Sequence, residues 1–258
     1  MIASSEIRNK LHNGQASIGT WLQLTCPESA EIIGRMGYDW AAVDMEHGSF
    51  SRTDLPNIFR ALELGGTLPF ARVAEPSLRE IKIVVDSGAR GVIFPFIEDR
   101  ETLDKAIAYS LYPNTNGLGK RGVGFCRANC FGLDFSKHIA CENPLGESLV
   151  LVAQIESIKA VKNLDEIFSQ KRLDAYIIGP YDLSASMGLT GQFNHPDFIA
   201  ALKEIELVAK KYNVPKGFHI VEPNTEFLKE KIAEGYVFLA YGIDALFLMR
   251  SAKAPLLK

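Results

Sequence analysis

The sequence predicts a single (β/α)8 TIM barrel, the α/β fold in which eight parallel strands alternate with helices and close into one sheet. Eight short apolar runs are separated mostly by segments in which apolar residues recur with helical spacing. A chain of 258 residues has the length of one such barrel, and no internal repeat interrupts the pattern. The alternative is a doubly wound fold, but neither GxGxxG nor GxxxxGK[ST] occurs. We therefore expect one domain over residues 1–258.

Proline, glycine and aspartate mark the ends of the predicted elements. Pro27 is suited to open a helix, Gly14 to end the first helix, and Asp99 to cap a helix N-terminus. The predicted strands cover residues 17–24, 40–43, 68–73, 91–96, 149–155, 175–178, 214–220 and 237–241. The predicted helices cover residues 5–13, 27–36, 55–64, 78–85, 99–110, 160–169, 197–212, 225–234 and 244–252. Residues 112–147 form a long irregular region, and such a region inside a compact domain is usually functional.

Composition and charge argue against several classes of protein. The formal net charge is −3 and the sequence pI is about 6.0, which argues against binding to nucleic acid or to an anionic membrane. No apolar run approaches the ~18 residues of a membrane span, and the N-terminus lacks the apolar stretch of a secretory signal. The four cysteines form no CxxC pair, which favours reduced thiols. We expect a cytoplasmic protein that acts on small molecules, with no nucleic-acid or membrane partner.

Ionisable residues follow the predicted strands at the ends where barrels carry their active sites. The second strand is followed directly by Asp44, Glu46 and His47, and the third strand ends on Arg72. A solvated loop would explain the first group, and a surface ion pair would explain the arginine. Their coincidence at one rim favours a site instead.

The fifth and sixth strands add carboxylates to the same rim. Gln154 and Glu156 end the fifth strand, and Asp182 follows the sixth. Helix capping by Glu156 and a turn at Asp182 are the structural alternatives. Two carboxylates and an amide suit a hard ion such as Mg²⁺ or Mn²⁺, which leaves open positions for substrate. With Arg72 as a cation and His47 as a proton carrier, this set suits carbon–carbon cleavage through an enolate.

A Schiff-base mechanism is the other route to such cleavage, and it needs a lysine inside the barrel at the same rim. The predicted fifth and sixth strands contain no lysine. Lys216 stands at the start of the seventh strand, which is the opposite rim. Of the remaining candidates, His219 ends the seventh strand and can reach the pocket, whereas Asp244 is expected to cap the final helix.

Five segments carry a resemblance to a known family: GYDWAAVDMEHG, PFARV, VDSGARGVIFP, QIES and IGPYDLSASMG. Over residues ~17–190 the chain resembles the HpcH/HpaI aldolases, metal-dependent class II pyruvate aldolases such as those for 4-hydroxy-2-oxoheptanedioate and 2-dehydro-3-deoxyglucarate. The resemblance implies a barrel of the phosphoenolpyruvate/pyruvate type, a divalent ion (Mg²⁺, Mn²⁺ or Co²⁺) and a homo-oligomer, usually a hexamer.

The same resemblance implies residue roles. Glu156 and Asp182 would bind the metal, and His47 would be the base. Arg72 would stabilise the transition state, and Asp86 would raise the basicity of the histidine. The substrate-binding residues would be Gln154, Tyr181 through its backbone, Arg72 and Asp182.

The implied reaction is reversible cleavage of a 4-hydroxy-2-oxo acid to pyruvate and an aldehyde through a metal-bound pyruvate enolate. Alternatives are a lyase of the citrate lyase or malyl-CoA lyase type, and a non-catalytic barrel that binds an oxo acid. The chain departs from the family pattern at Tyr181, where a small residue is common, and in the irregular region. Lys120, Arg121 and Arg127 of that region suggest an anionic substrate tail, with a solvated basic loop as the alternative.

Overall fold

The computed structural model describes residues 3–113, 117–140 and 148–252. Its eight strands are parallel and form a closed barrel in chain order, with β8 pairing back to β1. The predicted (β/α)8 barrel is therefore confirmed. The strands are β1 (Ser17–Leu22), β2 (Trp40–Asp44), β3 (Leu68–Arg72), β4 (Gly91–Phe94), β5 (Val150–Ile155), β6 (Ala175–Ile178), β7 (Gly217–Ile220) and β8 (Phe238–Ile243).

Helices connect and surround these strands. They are α1 (Ser4–His12), α2 (Pro27–Gly34), α3 (Leu55–Gly65), α4 (Leu78–Ser87), α5 (Arg100–Ser110), α6 (Phe135–His138), α7 (Ile158–Lys162), α8 (Leu164–Phe168), α9 (Pro180–Ser186), α10 (Pro196–Tyr212), α11 (Thr225–Ala233) and α12 (Asp244–Ser251). A 3₁₀ helix spans Arg127–Gly132. Within residues 3–113, 117–140 and 148–252, no helix is long and apolar enough to cross a membrane.

Side chains alternate along each strand between the barrel interior and the surrounding helices. In β2, Trp40 and Ala42 belong to the interior cluster, whereas Ala41 and Val43 pack outward. The Trp40 ring stacks on Phe238 of β8 with ring centres 4.5 Å apart. This period of two is what a strand imposes, and it determines which residue at the end of each strand faces the cavity above the core.

Gly19 of β1 makes room for this ring layer. A Cβ atom on Gly19 would lie 2.1 Å from the Trp40 ring, closer than any side chain allows. The interior is thus filled by aromatic and branched side chains rather than left open as a pore.

The outer layer shows how the helix sequences produce their positions. In α3 the buried residues Leu55, Ile58, Phe59 and Leu62 recur at the spacing of one helix face, and this face packs against the outside of the barrel. Gly66 ends α3 in the left-handed conformation (φ 102°), which a residue with a side chain adopts only at a cost.

The amino-terminal helix covers the bottom of the barrel. Ile7 and Leu11 of α1 join the interior cluster, and each is at most 2% exposed. Arg8 bonds to Asp174 (Nε to Oδ1, 2.8 Å) just before β6. The bottom is therefore closed by apolar contacts and an ion pair, and the open end lies at the carboxyl ends of the strands.

Several element boundaries differ from prediction. Residues 160–169 form two short helices, α7 and α8, which meet at Asn163. Helix α9 after β6 was not predicted, because it is short and begins with Gly179 and Pro180, which read as a turn. The predicted cap at Asp99 is confirmed, since its side chain accepts from the Thr102 amide.

The prediction for Asp244 was wrong. It is the first residue of α12, and its carboxylate accepts the amides of Gln23 (2.8 Å) and Leu24 (3.2 Å) beyond β1. It therefore ties the end of β1 to the end of β8. In the region predicted as irregular, residues 114–116 and 141–147 lie outside the described residues, and the rest holds two short helices.

Candidate active site

A cavity of about 250 Å³ opens at the carboxyl ends of the strands. Five predicted site residues line it: His47, Arg72, Gln154, Tyr181 and Asp182. They lie at or just after the ends of four strands (β2, β3, β5 and β6), so residues more than a hundred positions apart in the chain meet at one rim. The barrel places these five residues together, as expected for the fold. Glu156 and Asp86 are not among the residues that line the cavity.

Arg72 is the central cation of this cavity. Its Nε and Nη2 atoms donate to the two oxygens of Asp44 at 2.9 and 2.7 Å, a bidentate pair that fixes the plane of the guanidinium. The Arg72 Cζ atom also lies 4.5 Å from the centre of the Trp21 ring. The remaining nitrogen, Nη1, points to other groups, with Glu46 Oε2 at 3.0 Å and Gln154 Oε1 at 3.5 Å. The arginine is thus held rigidly from one side and presents Nη1 to the other.

Asp44 also orders the loop that carries His47. Its Oδ1 accepts the backbone amides of Glu46 and His47, each at 3.2 Å. Burial of Asp44 opposes its charge, but the hydrogen bonds and charge of Arg72, with help from Gln23, outweigh burial and hold the pKa of Asp44 below its usual value. Asp44 therefore stays ionised and positions both the arginine and the histidine loop.

Glu156 is the most perturbed carboxylate of the site. It is only 2% exposed, and burial, with added repulsion from Glu46 and Asp182, raises its pKa to about 7. The pKa of Glu46 is also raised, first by its burial and further by the charges of Asp44 and Asp182. Carboxylates that repel one another at neutral pH, with one arginine among them, provide a place for an additional cation.

Two local features hold Glu156 in place. The backbone amide of Phe96 donates to Glu156 Oε1 at 2.7 Å, and Phe96 has the left-handed φ of 51°. The amide group of Gln154 donates to the other oxygen. Gly179 passes so close that a Cβ atom there would lie 2.8 Å from Glu156 Oε2. The carboxylate is therefore fixed by the backbone around it, and a side chain at position 179 would displace it.

The donor set fits a hard divalent ion. Glu156 and Asp182 offer carboxylate oxygens from neighbouring strand ends, and the pKa of Glu156 is raised first by its burial and further by the negative charges of Glu46 and Asp182. In the described part of the chain, no group of three or more His, Cys, Asp or Glu side chains has metal-binding geometry. Two carboxylates with remaining positions for water and substrate suit an ion such as Mg²⁺ better than zinc.

Asp86 lies away from this cavity. Its Oδ1 accepts from Arg121 Nη2 at 2.8 Å, and no hydrogen bond or ion pair joins it to His47 within the described residues. Its predicted effect on the histidine therefore stays a prediction.

The arginines proposed for an anionic substrate tail do not line the cavity. Arg121 is 1% exposed and stacks on Tyr112, and Arg127 pairs with Glu63 and donates to the carbonyl of Ser87. The alternative of a solvated loop is therefore wrong for these two arginines, and their contact with a substrate stays a prediction. They are packed into the protein. Lys120 is exposed and also does not line the cavity.

His219 lines the cavity, as its place at the end of β7 predicted. Trp21 and Gln23 also line it and were not assigned a role from sequence. Gln23 donates to Asp44 Oδ2 at 2.9 Å, and the Trp21 and His219 rings lie 5.3 Å apart. The strand period of two was the available signal. Trp21 and His219 occupy inward positions of β1 and β7, as Arg72 does in β3. Burial, together with the charge of Arg72, lowers the pKa of His219 to about 3, so this ring is neutral at physiological pH.

A barrel with an arginine, a histidine and two metal-suited carboxylates at its open end is suited to the chemistry of a carbon–carbon lyase. The comparisons with known proteins agree. The model of the HpcH/HpaI aldolase/citrate lyase family matches residues 17–251. The chain belongs to this family, and it is a carbon–carbon lyase of the aldolase kind. Metal binding is expected for members of the family.

Individual relatives cover nearly the whole chain. A 2-keto-3-deoxy-L-rhamnonate aldolase of Salmonella gallinarum is 32% identical over 247 residues, which are 95% of this chain and 89% of the relative. A 2-dehydro-3,6-dideoxy-6-sulfogluconate aldolase of Pseudomonas putida is 32% identical over 94% of this chain and 92% of its own. The crystal structure of a family protein from Burkholderia cenocepacia superposes with a TM-score of 0.88 at 27% identity, covering 96% of both chains.

Proposed function

We propose that this protein is a metal-dependent aldolase that cleaves 4-hydroxy-2-oxo acids reversibly to pyruvate and an aldehyde. The observation that carries this proposal is the convergence of Arg72, His47, Glu156 and Asp182 on one rim of the barrel. The Salmonella gallinarum and Pseudomonas putida relatives described above are both aldolases, which supports the same reaction class.

Glu156 and Asp182 would hold the ion, for which we propose Mg²⁺, Mn²⁺ or Co²⁺. When bound, such an ion supplies Lewis-acid polarisation of the 2-oxo group and anchors the substrate carboxylate. Gln154 and the backbone of Tyr181 lie on the cavity wall beside these carboxylates and are placed to orient the substrate.

His47 acts as the base in this proposal. Its exposed ring stands at the mouth of the cavity, on the loop that Asp44 orders. The base takes the proton of the 4-hydroxyl group through a bound water, the C4–O bond becomes a carbonyl, and the C3–C4 bond breaks. The electron pair of that bond passes to the 2-oxo acid fragment, whose C3 is then protonated to give pyruvate.

Arg72 stabilises the negative charge that this step places on the 2-oxo oxygen. Its rigid attachment to Asp44 means that the guanidinium needs no reorganisation as the charge develops, which is the condition for strong electrostatic stabilisation. Asp44 does not contact the reacting atoms of the substrate in this proposal, and its role is to position Arg72.

The decisive assay is pyruvate release from 4-hydroxy-2-oxo acids with and without a chelator. Cleavage should stop with EDTA and return with a divalent ion, and borohydride should trap no covalent adduct. Chelator-insensitive cleavage with a borohydride-trapped adduct would mean a Schiff-base enzyme and would overturn the proposal.

A citrate lyase or malyl-thioester lyase is the second candidate, because the matching family includes citrate lyases. Cleavage of a malyl or citramalyl thioester, with no activity on free 2-oxo acids, would favour this second candidate over the aldolase. The third interpretation, a non-catalytic barrel, is set aside because the chain is similar to aldolases over 94–95% of its length.

We also propose a homo-oligomer, with a hexamer as the expected size, in the cytoplasm. Large apolar side chains are exposed along residues 117–140: Leu118, Val123, Phe125, Phe131 and Leu133. Several exposed apolar residues in one segment are typical of a surface that a partner covers. Light scattering coupled to size exclusion measures the assembly directly.

A further inference from the structure

A second cavity adjoins the candidate active site. It measures about 400 Å³ and lies between α9, α10, α11 and the end of β7. Four residues line both cavities: Pro180, Tyr181, His219 and Val221. The two spaces therefore share one wall, and that wall includes Tyr181 beside the metal-suited Asp182.

The walls of the second cavity are aromatic. Phe193 meets the Tyr181 ring edge-on with ring centres 5.1 Å apart, and Phe218 and Phe227 pack edge-on at 6.0 Å. Rings of this kind accept the C–H faces of a carbon chain, and a largely apolar lining with a few polar groups is typical of small-molecule sites.

The walls of the second cavity also carry polar groups that have no hydrogen-bond partner among the described residues. Asn224 uses its Oδ1 to accept the Phe227 amide at 3.0 Å, which leaves its NH₂ group free among the described residues. In the same part of the chain, neither the Asn194 amide nor the Tyr181 hydroxyl has a hydrogen-bond partner within the protein. Amide and phenol groups such as these donate to, and accept from, hydroxyl groups.

The charges at this cavity are already neutralised. Lys231 Nζ lies 2.7 Å from Glu234, and Glu222 pairs with Arg250. His219 adds no cation, since burial lowers its pKa to about 3. Among the described residues that line this cavity, no unpaired cation is left to bind an anionic chain. The free-energy cost of removing such a chain from water would therefore not be offset.

We propose that the two cavities form one substrate site, in which the second cavity binds the aldehyde-derived chain and selects a neutral, hydroxylated chain over an anionic or purely apolar one. This inference rests on the proposed aldolase function and names its acceptor class. The smaller cavity takes the 2-oxo acid. Tyr181 and His219 stand at the junction, where carbon 4 of the substrate would lie.

The test compares three four-carbon aldehydes as acceptors for pyruvate in the synthesis direction. They are erythrose, succinic semialdehyde and butanal, which differ in charge and hydroxylation but not in chain length. We expect kcat/KM per open-chain aldehyde to be at least about tenfold higher for erythrose than for either of the others. Equal or higher kcat/KM with succinic semialdehyde or with butanal would overturn the inference.

Variants locate the effect. Asn194→Trp places bulk at the second cavity and should lower kcat/KM for erythrose about tenfold. Gln192→Trp adds the same bulk two residues away, where it does not line the cavity, and should change nothing. The same change in kcat/KM in both variants would contradict the assignment of the second cavity. If Asn194→Trp fails to fold, the order of kcat/KM for the three aldehydes in the wild-type protein tests the inference.

Exchange of pyruvate methyl protons with deuterated solvent separates the two proposals. This exchange needs the metal and the 2-oxo acid but no aldehyde. Absence of exchange in the wild-type, metal-loaded protein would count against the aldolase function itself. Normal exchange without the expected acceptor ranking would count against the second cavity alone.

Discussion

Two arginines of this chain are buried, paired with an aspartate and stacked on an aromatic ring, yet they lie in regions of different kinds. Arg72 pairs with Asp44 and lies 4.5 Å from the Trp21 ring centre. Arg121 pairs with Asp86, and its Cζ lies 4.4 Å from the ring centre of Tyr112. The first stands at the rim of the barrel, and the second belongs to the segment 117–140 outside it.

The difference lies in what surrounds each pair. Beside Arg72, Glu156 is buried and Glu46 is partly buried, both have raised pKa values, and Arg72 itself lines a cavity. Arg121 has one carboxylate partner, and it lines none of the cavities described above. A buried ion pair is thus no sign of function by itself. Uncompensated charge of one sign beside a cavity is the stronger signal.

The largest effect is expected at the rim carboxylates. Glu156→Gln and Asp182→Asn should each abolish metal binding and aldol cleavage together, because two protein carboxylates are few and neither can be replaced by water. Calorimetric titration with Mn²⁺ and pyruvate release measure the two losses. Retention of tight metal binding in either variant would place the ion elsewhere.

His47→Ala should keep the metal and lose turnover by roughly 10²–10⁴-fold, the range for a general base. Metal titration and single-turnover cleavage are measured on the same preparation. A variant that loses the metal as well would make the histidine a ligand or a structural residue rather than the base.

Arg72→Lys keeps the charge but loses the bidentate contact with Asp44, so it is not a neutral change. Loss of such a donor typically costs about 3–4 kcal/mol of barrier, or roughly 10²–10³-fold in rate. Pyruvate and metal should still bind, while cleavage and methyl proton exchange both fall. Wild-type exchange with lost cleavage would assign the arginine to the aldehyde side.

Metal affinity should depend on pH through Glu156. Its pKa of about 7 favours the neutral carboxyl, so in the metal-free protein it contributes stability below about pH 4.5 that is lost as the pH rises through 7. A bound divalent ion favours the ionised carboxylate instead. The affinity for the ion should therefore fall about tenfold for each pH unit below 7. The rise in Tm on adding Mn²⁺ should therefore be larger at pH 8 than at pH 5.5, and an equal rise would contradict this prediction.

The smallest effect on activity is expected at Arg121. Arg121→Met should destabilise the protein by about 1–3 kcal/mol in urea unfolding, because Asp86 loses its partner but is partly solvated. Activity per folded molecule should not change.

Asp86→Asn is the matched variant. If it shifts the acidic limb of the kcat profile to lower pH, Asp86 acts on His47 and the two regions are not independent.

Local sequence patterns were sufficient to predict much of the rim. The apolar run of β2 followed by Asp44, and the run of β5 ending in Gln154 and Glu156, predicted both strands and the side chains at their ends. This works because a barrel brings the carboxyl ends of all its strands to one face, whatever lies between them. Helix α9 and the split at Asn163 were missed, since short helices depend on packing more than on periodicity.

By itself the sequence determined the fold class, the rim residues and the family to which the chain belongs. Only the tertiary structure decided the partners: Asp44 for Arg72, the Phe96 amide for Glu156, and Arg121 for Asp86. Order along the chain specifies which end of a strand a residue occupies, because that is a local property. Which charges meet, and whether a cavity lies between them, depends on contacts between residues far apart in the chain.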